Sequence, residues 1–346
     1  MSDSPLASDK LGRKNMRFLF NLQLFNNTNV TTDSTLSAEN KTFYDKQLIR
    51  LASANLVHDQ FAQVRDIPKR GGKTIEFRQF KPLAKALTPL QEGVTPNGHK
   101  LEVTAKTATV DQYGDYVELS DILDLTAIDP VAIEALNMLG DQAGLTLDSI
   151  TRDVLAGGTN VIYAGGKKSR KTLTTADTMT VDLIRQAATQ LKRMNAKTIN
   201  GSYVAIIHPD VSHDLKGTKG WIDVHQYADP QAIFKGEIGM YDNVRFVEST
   251  EAKIWKDETC PSDGADGHLA VFSTLVVAAN AYGTTKVEGG GLRTIIKQLG
   301  SAGTADPLDQ RSTVGWKAIK VSERLVENYM VRIETLSSYS DSEAAN

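Results

Sequence analysis

The chain has 346 residues, 40% apolar and 23% charged, a composition that supports a large buried core and excludes global disorder. Its 39 basic and 42 acidic residues leave a net charge of −3, without the basic excess of a dedicated DNA-binding protein. Cys260 is the sole cysteine, which excludes an intramolecular disulfide and a cysteine-cluster metal site and fits a reducing cytoplasm.

Lys10, Arg13, Lys14 and Arg17 precede "FLFNLQLF", in which Phe20, Leu22 and Leu24 alternate with Asn21 and Gln23. That alternation is strand-like, not the continuous apolar run of a signal peptide, and no run reaches the roughly 18 residues of a membrane span. A polar, Asn- and Thr-rich stretch follows, so residues 1–45 read as an extended arm. Helical spacing of Phe43, Leu48, Leu51, Ala52 and Leu56 predicts a helix within Ser37 to Phe61, ended by Pro68 and "RGG". "KTIEFRQF" and "KLEVTAKTATVDQYGDYVEL" alternate in the manner of strands around a Pro- and Gly-containing tip. They predict a long hairpin over 69–115 with too little apolar surface to stand alone.

Asp129-Pro130 is a helix start, followed by Ala132, Leu136, Leu139, Ala143, Leu147, Ile150 and Val154 at steps of three or four, up to Gly157-Gly158. Gly140 and Gly144 inside this helix each cost about 1 kcal/mol relative to alanine, which close approach of another backbone would justify. A second helix is expected from Val181 to Met194. "SYVAIIHPD" reads as a buried strand running into a short helix, and a further short helix starts at Asp229-Pro230 and is capped by Gly236. Gly239 and Asp242-Asn243 supply turns before the strand "NVRFVES". "HLAVFSTLVVAA" and the tail from Gly315 to Leu336 complete the strands. Helices alternating with strands over 176–300 predict an α/β unit.

The chemical motifs fail. "GGKKSRKT" lacks the first glycine and the Ser/Thr of a phosphate loop, and reads as an exposed basic turn. His208 and His213 are five apart, which puts them about 140° apart around a helix, against the four-residue spacing of a zinc pair. There is no G-x-S-x-G elbow, and Cys260 reads as a surface thiol in "ETCPSDG". No catalytic residue, cofactor or metal site is expected, and the protein is expected not to be an enzyme. Protruding elements without a core of their own point to a protein that completes its burial by assembling.

Several stretches, in order, resemble the tailed-phage major capsid proteins of the Hong Kong 97-type fold, in the branch typified by coliphage N-four. They are "YDKQLIRLA", "RGGKTIEFRQF", "QYGDYVELSD", "GDQAGLTLD", "GMYDNVRFVES" and "AGTADPLDQRSTVGWK", between residues 17 and 338. The resemblance implies an α+β capsid fold: an N-terminal arm (1–45), a peripheral domain (46–68 and 116–175) with a spine helix at 130–157, and an extended hairpin loop (69–115). An α/β axial domain (176–300) follows, and 301–346 returns to the peripheral domain. It further implies hexamers and pentamers forming an icosahedral shell around double-stranded DNA. The partners would be other copies, a portal protein at one vertex, and scaffolding or decoration proteins. There would be no membrane, and assembly would occur in the host bacterial cytoplasm. An encapsulin-type compartment is the alternative reading. Candidate subunit contacts are Arg70, Lys73 and Arg78 on the hairpin, Gly140 and Gly144 on the spine helix, Lys167, Lys168, Arg170 and Lys171 on the basic turn, and Tyr241 and Arg245 beyond it.

Overall fold

The computed structural model describes residues 46–346 except 54, 67–71, 81–82, 91, 94, 96–97, 127–130, 217–221, 224–233, 235, 265–266, 287–290, 302 and 304–305. The expected arm, Arg70, Asp129-Pro130 and the helix at Asp229-Pro230 lie outside the described residues. Helix α1 (46–53) carries Leu48 and Ala52 into a core, and a single helical turn at His58–Phe61 leads to β1 (Gln63–Arg65). Strands β2 (Thr74–Phe80) and β3 (Val103–Thr109) pair antiparallel from Thr74↔Thr109 to Phe80↔Val103.

Period-two alternation turns Ile75, Phe77 and Ala108 inward against Val321 and Leu325. The opposite face and the outer end of the hairpin are exposed: Phe80 is 63% and Leu87 83% accessible. The pairing stops at Thr109. The next stretch, β4 (Asp111–Ser120), belongs to a different sheet, although the alternating pattern runs on without a break. A short α2 (Asp121–Thr126) follows, its first turn held by Ser120 Oγ accepting the Leu123 N–H at 3.2 Å.

Helix α3 (Val131–Ala156) has 26 residues, and is about 39 Å long at 1.5 Å per residue. It stops before Gly157, where Arg324 Nη1 donates to the Val154 carbonyl at 2.7 Å and so satisfies one of its unpaired C-terminal acceptors. Its buried face differs from the expected stripe. Ala132 is exposed, whereas Gly140, Gly144, Asp148, Thr151, Arg152 and Leu155 are buried.

After β5 (Val161–Tyr163), α4 (Val181–Arg193) buries Leu183, Ile184, Ala187, Ala188 and Leu191. Then come β6 (Tyr203–Ile207), α5 (Pro209–Lys216), β7 (Ile222–Asp223), β8 (Glu237–Tyr241), β9 (Val244–Glu248), β10 (Ile254–Trp255) and β11 (Val271–Val277). The chain closes with β12 (Tyr282–Thr285), β13 (Leu292–Lys297), β14 (Arg311–Lys320), β15 (Ser322–Arg324) and β16 (Met330–Thr335).

One mixed sheet has the order β5-β16-β11-β6-β9-β8-β7, with β10 on β11. Every residue of β6, β11 and β16 is buried, because α4 and α5 cover one face while Phe61, Leu155 of α3 and Tyr282 cover the other. That double burial explains the unalternating runs "YVAII" and "VFSTLVV". A second sheet, β13-β14-β4, lies on α3 and α1 through Leu292, Val314, Trp316 and Ala318. A third, β1-β12-β15, stands beside the foot of the hairpin, where Phe77 lies so close over Gly283 that an added Cβ would come within 2.4 Å of the ring. The C-terminal strands divide: β14 joins β4 beside α3, whereas β16 inserts between β5 and β11 of the large sheet.

Two expectations are corrected. Gly239 lies inside β8 and makes no turn. The reversal is made by Asp242 (φ 43°) and Asn243 (φ 65°), the two-residue type I′ hairpin that matches strand twist. Cys260 is not a surface thiol: it is fully buried in the large core, and burial raises its pKa.

Candidate subunit-contact surfaces

Among the described residues the hairpin is largely exposed. Arg78 faces solvent and pairs with Glu76 at 3.0 Å on the same face, each holding the other's charge. Lys73 is exposed at the hairpin foot, where its carbonyl accepts the Val110 N–H at 2.8 Å. Gly140 and Gly144 face the chain's own α1. A Cβ on Gly144 would lie 2.6 Å from the Ala52 carbonyl oxygen, and one on Gly140 would lie 3.0 Å from Leu51 Cβ. The close approach at both glycines is therefore made within the chain, to α1.

The basic turn divides. Lys168 and Lys171 are exposed and Lys167 half-buried, whereas Arg170 folds inward. Its Nε and Nη2 both donate to Glu334 at 2.7 Å, and its guanidinium lies 4.0 Å from the centre of the Trp255 ring. Burial disfavours the Arg170 charge, but Glu334 outweighs it and the pKa is raised. Arg245 is likewise engaged within the chain, pairing with Glu237 and donating to Ser202 Oγ at 3.1 Å. Tyr241, itself half-buried, accepts a hydrogen bond from Arg185 at 3.1 Å on the exposed flank of α4. Arg170 and Arg245 therefore do structural work within the chain, while Lys168, Lys171, Lys73 and Arg78 remain outward.

Sequence reasoning missed a buried polar junction. His58 Nδ1 lies 2.7 Å from Asp148 Oδ2, and the His58 N–H donates to Asp148 Oδ1 at 2.7 Å. Tyr282 donates its hydroxyl to the His58 carbonyl. Asp59 accepts from Thr151 at 2.7 Å and pairs with Lys320, which is 1% exposed. Ser322 Oγ bridges Thr151 (2.9 Å) and Thr284 (3.0 Å). Burial, reinforced by Asp59 and Asp148, raises the Tyr282 pKa well above its usual value. The junction ties the turn after α1 to α3, β12 and the β14–β15 corner. A hint was present in the sequence, since Asp148, Thr151 and Arg152 recur at helical spacing on the buried side of α3.

The two histidines of "HPDVSHD" serve no common site. His208 is half-buried against Phe272 (5.0 Å between ring centres) and Asp210 (3.5 Å), whereas His213 is exposed beside Tyr339. Among the described residues no group of three or more His, Cys, Asp and Glu side chains could hold a metal, and no helix is long and apolar enough to cross a membrane. Burial lowers the His208 pKa, with Asp210 opposing the shift, and raises that of Asp210. For a base depressed in the folded state, stability is complete above the unfolded pKa of about 6.5 and falls as the pH drops below it. Melting curves from pH 7.5 to 5.5 should therefore show a smaller loss of Tm for His208→Gln than for the unaltered protein. Equal losses would contradict this assignment.

A family model described as phage capsid protein matches residues 41–298, about three quarters of the chain. The chain belongs to the phage capsid protein family. Solved structures agree on the fold. The capsid of Ralstonia phage GP4 superposes with a TM-score of 0.64 at 18% identity, covering 79% of this chain and 86% of that one. The capsid of cyanophage P-SCSP1u gives 0.58 at 16% identity, covering 82% and 89%. The head of Helicobacter pylori bacteriophage KHP40 gives 0.53 at 14% identity, covering 82% and 90%. No curated protein sequence matches the chain. This capsid protein therefore has the α+β, Hong Kong 97-type fold, and its place is the virion shell.

Proposed function

We propose that this capsid protein is the major shell subunit of a tailed phage of the N-four-like branch, assembling as hexamers and pentamers into an icosahedral particle that encloses double-stranded DNA. The observation that carries the reading is the hairpin. It has one inward apolar row at its foot, while Phe80, Leu83, Leu87, Leu90 and Leu101 are exposed beyond it. A monomer gains nothing from such a ribbon; a neighbouring copy under it buries those side chains at about 25 cal/mol per Å².

In this reading 69–115 overlies an adjacent copy, 1–45 reaches across to neighbours, α3 is the spine of the peripheral domain, and 176–300 is the axial domain around the symmetry axes. Self-association is the principal partnership, with a portal protein at one vertex and scaffolding or decoration proteins as further partners. Assembly takes place in the host cytoplasm. The near-neutral net charge suits a wall that encloses DNA without gripping it, since each phosphate contact would add salt-dependent affinity.

Electron microscopy of the purified chain, alone and co-expressed with the products of neighbouring genes, tests this reading. Uniform closed shells with five- and six-fold capsomers are the expected result. A chain that stays monomeric at high concentration in both settings would overturn it.

A further inference from the structure

Among the described residues, three cations of the second sheet have no acidic partner. Antiparallel register sets Arg293 of β13 directly opposite Lys317 of β14, and Lys297 lies further along β13, about 14 Å from Arg293 at 3.4 Å per residue. All three are exposed on the face turned away from α3, whereas Leu292, Val314, Trp316 and Ala318 fill the other face. Glu118 of β4 is the carboxylate on the outward face, and it lies beside Arg311 at 4.0 Å. Asp115 turns the other way, to Gln142 of α3. Like charges directly opposite destabilise an antiparallel pair, so the fold itself gains nothing from the Arg293–Lys317 arrangement.

An apolar row crosses the sheet between these cations. Tyr116 of β4, Gly315 of β14 and Ile295 of β13 are aligned, with Tyr116 62% and Ile295 41% exposed. Neither Gly114 nor Gly315 has room for a side chain: an added Cβ would lie 2.6 Å from the Trp316 carbonyl oxygen or 2.7 Å from Tyr116 Cβ. The close strands therefore need glycine at both positions. Their bare backbone contributes to a depression of about 570 Å³ lined by Gly114, Tyr116, Ile295, Gly315 and Lys317. Exposed apolar groups rimmed by unneutralised charge mark an interaction site.

We propose that the outward face of β13, β14 and β4 is a docking surface for an acidic segment of a second kind of protein. Its carboxylates meet Arg293, Lys317 and Lys297, and an apolar side chain enters the depression between Tyr116 and Ile295. The shell reading supplies the reason for such a partner, one that adds to a finished wall, and the proposal rests on it to that extent. Charge at the rim selects the partner, and burial of the apolar row holds it. Duplex DNA fits the face less well. A phosphate backbone has no apolar group to place between Tyr116 and Ile295, and Glu118 stands where it would repel a continuous polyanion.

The test uses the full-length chain, both as shells and unassembled. The probe is a fluorescent peptide containing Glu-Ser-Phe-Ser-Glu, and the controls are the same peptide with serine for phenylalanine and a short DNA duplex. Binding is read by anisotropy at about 0.1 M salt. The Phe-containing peptide should bind both forms. Lys317→Glu should weaken that binding about tenfold, and so should the neutral pair Arg293→Gln with Lys317→Gln, which guards against misfolding. The serine peptide should bind about fivefold more weakly than its parent, and the duplex should not displace the parent. Lys317→Glu also turns a repulsive cross-strand pair into an attractive one, so it should raise the Tm of the unassembled chain by about 1–2 °C and leave shell yield unchanged.

Shells that do not bind the peptide, binding indifferent to both substitutions or to the loss of phenylalanine, or displacement by the duplex would each overturn the proposal. A lower Tm for Lys317→Glu would show that the cations serve the fold, and loss of shells would show that the face lies between copies; either result also overturns it. If the unaltered chain forms no shells yet binds the peptide as described, the shell reading fails and the docking surface stands.

Discussion

Gly144→Ala should destabilise the folded chain by about 1–3 kcal/mol, and Gly144→Leu should prevent α3 from seating on α1, with loss of assembly. The reason is the rigidity of what lies opposite. A Cβ on Gly144 would stand 2.6 Å from the Ala52 carbonyl oxygen and 3.0 Å from its Cα, both backbone atoms. Alanine raises helix propensity by about 1 kcal/mol, which offsets the clash only in part. Gly140 is the internal control. It lies on the same helix with the same propensity gain, but the atoms within 3.2 Å of its added Cβ belong to the side chain of Leu51. A leucine side chain can shift by a few tenths of an ångström where a backbone cannot, so Gly140→Ala should change stability by less than about 1 kcal/mol in either direction. Denaturant titration of the two alanine variants decides the matter. If Gly144→Ala proved as stable as Gly140→Ala, the backbone-contact explanation would fail.

The second large effect is expected at the buried junction. Lys320→Met removes the cation from beside Asp59, whose side chain is only 12% exposed, and leaves a carboxylate with little water to replace the lost partner. Removing one member of such a pair costs about 3–5 kcal/mol, and the remaining exposure of Asp59 places this case at the lower end. Asp59→Asn combined with Lys320→Met should recover most of the loss. The charge is then gone, while the amide oxygen can still accept the Thr151 hydroxyl. A double-mutant cycle on equilibrium unfolding supplies the check. Strictly additive effects would mean that Lys320 and Asp59 do not stabilise each other. The junction joins segments from the beginning, middle and end of the chain, so its loss should also broaden the distribution of assembled particles.

Local readings that depend on near neighbours agreed with the structure. The period of α3, its stop before Gly157, the apolar runs of β6 and β11, and the Asp242-Asn243 reversal all arise from interactions within a few residues, which a sequence displays directly. The failures share one cause. Alternation runs on from β3 into β4 because both are strands, and the alternation carries no record of which partner each strand pairs with. Gly239 resembles a turn residue until β9 is placed beside it. Cys260 sits in a polar stretch, yet the loop that carries it folds its side chain into the core below.

The candidate contact residues divide along the same line. Lys73, Arg78, Lys168 and Lys171 remain outward, but nothing in the sequence distinguishes them from Arg170 and Arg245, whose partners Glu334 and Glu237 are brought to them by strand order. Gly140 and Gly144 do mark close packing, and only the path of α1 shows that the neighbour belongs to the same chain.

By itself, the sequence determined the class of the fold, its long helix, its hairpin and its membership of a capsid family, because periodicity, capping and ordered short stretches are local and additive. Tertiary structure alone decided which strands share a sheet, which charges are neutralised inside the chain and which stay outward for a neighbour. Those outcomes depend on contacts between residues far apart in sequence, such as His58 with Asp148 and Asp59 with Lys320, whose pairing no local pattern encodes.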